Sequence, residues 1–170
     1  MKILVINSGS SSLKFQVVDP ENEKALAKGV CERIGIDGIF NYRTDGGISL
    51  KEPVAMPDHK AAVGVLLSML VDPERGVLKD FSEIDVVGHR LVHGGEKFTG
   101  SVVITEEVIQ AMTECNDLAP LHNPANLVGV AACRELMPDI LMVGCSTPRS
   151  TRPWSQRHFS MAFPTVFMRN

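Results

Sequence analysis

Residues 2–18 read Lys2-Ile3-Leu4-Val5-Ile6-Asn7-Ser8-Gly9-Ser10-Ser11-Ser12-Leu13-Lys14-Phe15-Gln16-Val17-Val18, and this stretch sets the architecture. The apolar run 2–6 predicts a buried strand, because a short β-rich stretch stops at a cluster of turn residues, 7–12. Alternation then resumes at period two. Leu13, Phe15 and Val17 fall on one face, with Lys14, Gln16 and Val18 on the other. A strand, a serine-lined bend and a second strand therefore open the chain as a hairpin.

Working outward, Asp19-Pro20-Glu21-Asn22 forms the next turn. A third strand is expected over 27–33, and a hairpin pairs 39–43 with 48–54 across Asp45-Gly46-Gly47. Asp58 is the expected N-cap of a helix reaching about residue 71, with Ala62, Val63, Leu66, Leu67 and Leu70 as its inward stripe. A short strand at 84–87 runs into Gly88-His89-Arg90-Leu91-Val92-His93-Gly94-Gly95. Thr105 caps a helix whose first turn holds Glu106 and Glu107, acids that suit the positive end of the helix dipole. Asn123-Pro124 starts another helix, Pro138 follows its end, and 140–144 reads as a strand. This order predicts an α/β fold, a mixed sheet flanked by helices.

The 170 residues suffice for one domain with a real core, and 44% of them are apolar. That fraction excludes a disordered chain. No apolar run approaches the ~20 residues of a membrane span, so no membrane partner is expected. Residues 2–6 are too short and too soon interrupted by Asn7 for a signal peptide. Cys31, Cys115, Cys133 and Cys145 lack CxxC spacing, which predicts reduced thiols and a cytoplasmic setting. Cys31, Cys115 and Cys133 lie on apolar stripes and read as packing. The net charge of −3 hides a seam: residues 1–144 hold 13 basic and 20 acidic residues, whereas 145–170 hold Arg149, Arg152, Arg157 and Arg169 and no acid. That ending also carries Trp154 and no helical or strand period, and reads as a basic, disordered tail.

Three segments carry chemistry. In the serine bend, small residues leave amides and hydroxyls free to converge on an anion, although the GxxxxGK[ST] loop is absent. Lys14 beside it is a compact cation suited to a polyphosphate, and Asn7 can hold phosphate or a metal-bound water. An ordinary hairpin turn, with Asn7 merely starting it, is the alternative for these residues. At 88–95, Arg90 presents a planar fork that matches carboxylate or phosphoryl oxygens. His89 and His93 project with it from a glycine-bracketed strand end, but their spacing alone makes no metal site. His122, between Pro120 and Pro124, stands just before a helix N-terminus where it can meet negative charge. A surface salt bridge for Arg90 and a surface position for His122 are the plainer readings.

Together VINSGSSSLKFQ at 5–16, CERIG at 31–35, VGHRLVHGGEKF at 87–98 and LAPLHNPAN at 118–126 resemble the acetokinase family, of the acetate/sugar kinase–Hsp70–actin superfamily, collinearly from Met1 to about Gly144. The resemblance implies an RNase H-like, actin-like ATPase domain and phosphoryl transfer between ATP and acetate, giving acetyl phosphate, with Mg²⁺ or Mn²⁺. By the same resemblance Asn7 is associated with the metal, Ser10 and Ser12 with the phosphate loop, and Lys14 with ATP. Arg90 would bind substrate and act in catalysis, Val92 and Leu121 would line a small methyl pocket, and His122 would stand near the transferring phosphoryl group. Residues 1–144 would be the N-terminal domain. The family also implies a homodimer whose interface is largely missing here.

After Gly144 the resemblance stops. The family continues with a segment like VFDTAFHQTM, whose Asp is catalytic; this chain reads CSTPRSTRPW. Permissible codons for those ten residues, shifted by one added nucleotide, translate as VFDTAFHQTM. Residues 145–170 are therefore expected to be out-of-frame translation, leaving a truncated, inactive fragment. A propionate or butyrate kinase is the alternative within the class, and a non-catalytic remnant the alternative outside it. A nucleic-acid-binding tail is the least favoured reading, so no nucleic-acid partner is expected.

Overall fold

The computed structural model describes residues 1–91, 100–114, 117 and 123–146. Its spine is the opening hairpin. Strand β1 (Ile3–Ser8) pairs antiparallel with β2 (Leu13–Asp19), Asn7 opposite Lys14 and Ser8 opposite Leu13. Antiparallel pairing continues through β3 (Lys24–Glu32), β4 (Ile39–Thr44) and β5 (Ser49–Pro53). On its other side β1 pairs in parallel with β6 (Val86–Leu91). Beyond β6 lie β8 (Leu141–Ser146), parallel to it, and β7 (Gly100–Val103), antiparallel on the edge. The sheet runs β5-β4-β3-β2-β1-β6-β8-β7. It is the mixed sheet expected, with β7 as an edge strand too short to show a period.

Helices α1 (His59–Leu70) and α3 (Asn123–Leu136) pack on one face of this sheet and on each other, and α2 (Glu106–Glu114) packs against α3. The Asp58 carboxylate accepts a hydrogen bond from the Ala61 amide at 2.7 Å, satisfying one orphan donor of the first turn. Thr105 Oγ1 likewise accepts from the Val108 amide. Between sheet and helices sits the main core. Leu13, Phe15 and Val17 bury against Ala62, Val63, Leu66, Leu67 and Leu70 of α1, each such side chain stabilising by ~1.5–3 kcal/mol. Phe15 of β2 and Phe40 and Tyr42 of β4 form a triangle of mutually stacked rings, and the Tyr42 hydroxyl donates to the Arg75 carbonyl at 3.0 Å.

Phe15 fixes the identity of Gly29 on β3. A Cβ there would stand 2.3 Å from the Asn41 carbonyl oxygen and 2.5 Å from the Phe15 ring. A smaller apolar cluster, Ile3, Val5, Val18, Val86, Val143 and Cys145, occupies the opposite face. Val18 joins it as the alternation predicts, a register shift at Val17/Val18 notwithstanding.

Several boundaries differ from expectation: β1 runs through Asn7 to Ser8, where a turn is expected from 7, β3 begins at Lys24 and not at 27, and two more differ for one reason. Residues 84–87 were expected as a strand, but Phe81–Glu83 is a 3-10 turn capped by Asp80, and β6 runs from Val86 to Leu91. The strand expected over 140–144 continues to Ser146, because Cys145 and Ser146 still find partners, Arg90 and Leu91 on one side and Ser101 and Gly100 on the other. Strand ends follow the partner available across the sheet. No helix among the described residues is long and apolar enough to cross a membrane.

Candidate active site

The parallel strands β1 and β6 end side by side, and in open α/β sheets ligands bind beyond the carboxyl ends of such strands. The serine bend lies there. Its Gly9 amide donates to the Ser12 carbonyl at 2.8 Å, and the Ser11 carbonyl accepts from the Ile34 amide at 2.9 Å. A ring nitrogen of His59, the first residue of α1, lies 2.7 Å from the Gly9 carbonyl oxygen and donates to it. The bend is thus tied to α1 and to the β3–β4 connection. Among the described residues the amides of Ser10, Ser11 and Ser12 make no hydrogen bond, so they remain available to an anion. Ser10 is exposed and Ser12 half-buried.

Below the bend, the face of the sheet away from α1 forms a concavity of about 460 Å³. Asn7, Lys14 and Arg90 all line it. Their convergence follows from register. Asn7 pairs with Lys14 across β1–β2, and the parallel pairing of Ile6 with His89 brings Asn7 level with Arg90. Arg90 is half-buried, and its Nε has no partner among the described residues. A buried donor left without an acceptor costs ~1–3 kcal/mol, which an arriving oxyanion would recover. Ser10 and Ser12 do not line this concavity. Val92, Leu121 and His122, together with His93 and Cys115, lie outside the described residues.

His89 does not project with Arg90 as expected. Alternation along β6 sends it to the helix-covered face, where it is 2% exposed and its Nε2 has no partner among the described residues. Burial pushes its pKa down to about 4, so the ring stays neutral. Its neighbours on that side include Val87 in the main core and Leu91 in a satellite cluster with Val108 and Met112. Gly129 of α3 lies so close to β1 that a Cβ would meet the Ser8 Cβ at 2.7 Å. Cys31 and Cys133 are buried, with thiol pKa values pushed up to about 12 by desolvation, as packing residues should be. Sequence reasoning missed His59 as the tether of the bend. The available signal was a histidine one residue after an N-cap, but its partner is 50 residues away.

Among the described residues no three of His, Cys, Asp and Glu cluster to hold a metal ion. The Asn7 amide oxygen, half-buried beside Lys14, fits an Mg²⁺ that arrives on phosphate oxygens and keeps most of its water, not a resident ion in a protein cage.

A mixed sheet with helices packed on it, a hydroxyl-lined bend at the end of its first strand and a cationic floor beneath define an incomplete actin-like ATPase-type domain. The solved structures it resembles agree. An acetate kinase from Porphyromonas gingivalis superposes with a TM-score of 0.82 at 41% identity, covering 94% of this chain and 43% of that one. A propionate kinase from Francisella tularensis superposes at 0.77 with 28% identity, covering 93% of this chain and 42% of that one. The chain belongs to the acetokinase family, whose model matches residues 2–147. It is similar to the acetate kinases of Agathobacter rectalis, 58% identical over 144 residues and 85% of this chain, and Lachnoclostridium phytofermentans, 54% identical over 143 residues and 84% of this chain. The chain spans 36% of the length of these curated relatives.

Proposed function

We propose that this chain carries the phosphate- and carboxylate-binding half of an acetate kinase active site, for transfer of a phosphoryl group between ATP and acetate to give acetyl phosphate and ADP. The observation that carries the reading is the convergence of Asn7, Lys14 and Arg90 on one concavity below the serine bend. A carboxylate nucleophile is already ionised at neutral pH and needs no general base. The obstacle is repulsion between two anions, and positioned cations remove it. Lys14 and the bend amides, with Ser10 and Ser12, would hold the phosphate chain, and Arg90 would draw the carboxylate toward it. Asn7 would contact Mg²⁺ or Mn²⁺ carried on the phosphates; the ion, when bound, neutralises phosphate charge. Val92 and Leu121 as a methyl pocket and His122 near the phosphoryl group complete the proposal. The whole reaction, its substrates, a homodimer and a cytoplasmic setting are proposed from family membership.

By itself the chain is proposed to turn over undetectably, since losing a single positioned donor typically costs ~10²–10³ in rate and the relatives contain far more chain than this. Residues 145–170 are proposed to be out of frame, supported by their acid-free composition and by a family match that stops at residue 147. Three measurements test these readings. Trapping acyl phosphate with hydroxylamine, using acetate and propionate in turn, should give no signal for the isolated chain; brisk hydroxamate formation would refute the incomplete site. Calorimetric titration with acetyl phosphate should show binding that Arg90→Ala and Lys14→Gln each weaken about tenfold; unchanged affinity would refute the assignment. Sequencing the gene across the Gly144 codon decides the frame.

A further inference from the structure

The same concavity extends well past Lys14. Its far wall is built by Lys28 and Val30 of β3 and Asn41 and Arg43 of β4. Register explains the grouping. Lys14 pairs with Val30 and Val30 with Asn41, forming one transverse row; Gln16 pairs with Lys28 and Lys28 with Arg43, forming the next. From β6 to β4 the floor crosses four inter-strand spacings, ~19 Å in all.

The pairing of Lys28 with Arg43 is unfavourable in isolation. Like charges directly opposite on one face stand with Cβ atoms ~5 Å apart and destabilise a sheet. Elsewhere among the described residues Lys2, Lys24, Arg33, Lys60, Arg75 and Arg134 each have a carboxylate within ion-pair distance, and only the scattered Lys51 and Lys79 do not. Among the described residues, Lys14, Lys28, Arg43 and Arg90 have none, and all four line this one concavity. No acid lines it. Glu32, two residues along from Val30, lies outside the lining, and Asp45, two along from Arg43, faces Lys24 at 4.0 Å. The amides of Gln16 and Asn41 stand between the cations and can donate hydrogen bonds. A volume of about 460 Å³ suits a small molecule and not a macromolecular surface.

We infer that Lys28 and Arg43, with Gln16 and Asn41, form a second anion subsite on β3 and β4 that takes the distal phosphates of a small oligophosphate. It adjoins the Asn7–Lys14–Arg90 group but does not depend on that group's proposed role. Inorganic tripolyphosphate is the probe, titrated calorimetrically into the full 170-residue chain at low and at raised salt. The double variant Lys28→Gln/Arg43→Gln should bind about tenfold more weakly or worse, since it loses two charge contacts, and should show a smaller salt dependence. Lys28→Arg/Arg43→Lys, which keeps both charges, should bind like the parent. Both side chains are exposed, so circular-dichroism melts should show every variant folded, the Gln double variant at least as stable as the parent because it loses the like-charge pair. Equal affinity of parent and Gln double variant overturns the inference, as does failure of the parent to bind. If Lys14→Gln and Arg90→Ala abolish binding while the Gln double variant leaves it intact, this subsite falls and the active-site reading stands. The reverse result upholds the subsite and removes the other.

Discussion

Lowering the pH should destabilise this protein through one buried ring. His89 is 2% exposed and neutral, its pKa held near 4 by burial alone, against 6.5 for a free histidine. Between those two values the unfolded chain binds a proton that the folded chain refuses, so stability must rise with pH there. Read downward, the folded state loses stability as pH falls from about 6.5 to about 4, and this ring contributes no further slope below that. Integrated over the window the loss is about 3 kcal/mol, a large share of the 5–15 kcal/mol typical of a domain. Urea unfolding of the parent and of His89→Leu, repeated from about pH 7 down to about pH 4.5, isolates the effect. Leucine also removes the unpartnered Nε2, which adds an offset that does not vary with pH. Asp19, Asp37, Asp72 and Glu83, whose pKa values their hydrogen bonds lower, titrate in both proteins alike and cancel in the difference. Between about pH 7 and about pH 4.5 the difference in unfolding free energy should therefore change by about 2.5 kcal/mol, in favour of the variant at low pH. A flat difference would refute the reasoning.

Two further outcomes follow from single contacts. Gly29→Ala places a methyl 2.3 Å from the Asn41 carbonyl oxygen and 2.5 Å from the Phe15 ring, so thermal melts should show a loss of ~1–3 kcal/mol or more; an unchanged melting temperature would contradict the packing. His59→Ala leaves the Gly9 carbonyl without its donor at 2.7 Å and should cost ~1–3 kcal/mol. It should also speed hydrogen exchange in the 9–12 bend more than in β5, a contrast that a general loss of stability would not give.

What the chain showed before folding was whatever is decided locally. The serine bend, the Asp58 cap and the α1 stripe each depend on residues within a turn or two; cap and stripe are found where the sequence put them, and the bend begins after Ser8, two residues later than expected. The hairpin of β4 and β5 has the same origin. What stayed hidden depends on partners distant in sequence. Strand β7 is four residues long and exists because β8 offers an edge. His89 looked like a companion of Arg90 until alternation along β6 placed the two on opposite faces. Lys28 and Arg43 are unremarkable exposed cations in sequence; only the pairing of β2, β3 and β4 brings them into the wall that holds Lys14.

That wall explains why family membership and the physical object must be kept apart. A site that brings two anions together needs cations first, and the described residues supply them: Lys14, Lys28, Arg43 and Arg90 on one face, with the bend above. It also needs something to exclude water, since the same charges in contact with solvent are worth a fraction of their value in a closed cleft. The concavity here is the open face of a sheet, and the relatives that share its sequence devote nearly two-thirds of their length to chain this protein does not match. Such a half-site should gather phosphate and carboxylate by long-range attraction that salt weakens, while leaving both hydrated. Binding without turnover is what the proposed function expects of this balance of charge and exposure, and the hydroxamate and calorimetric measurements together check it.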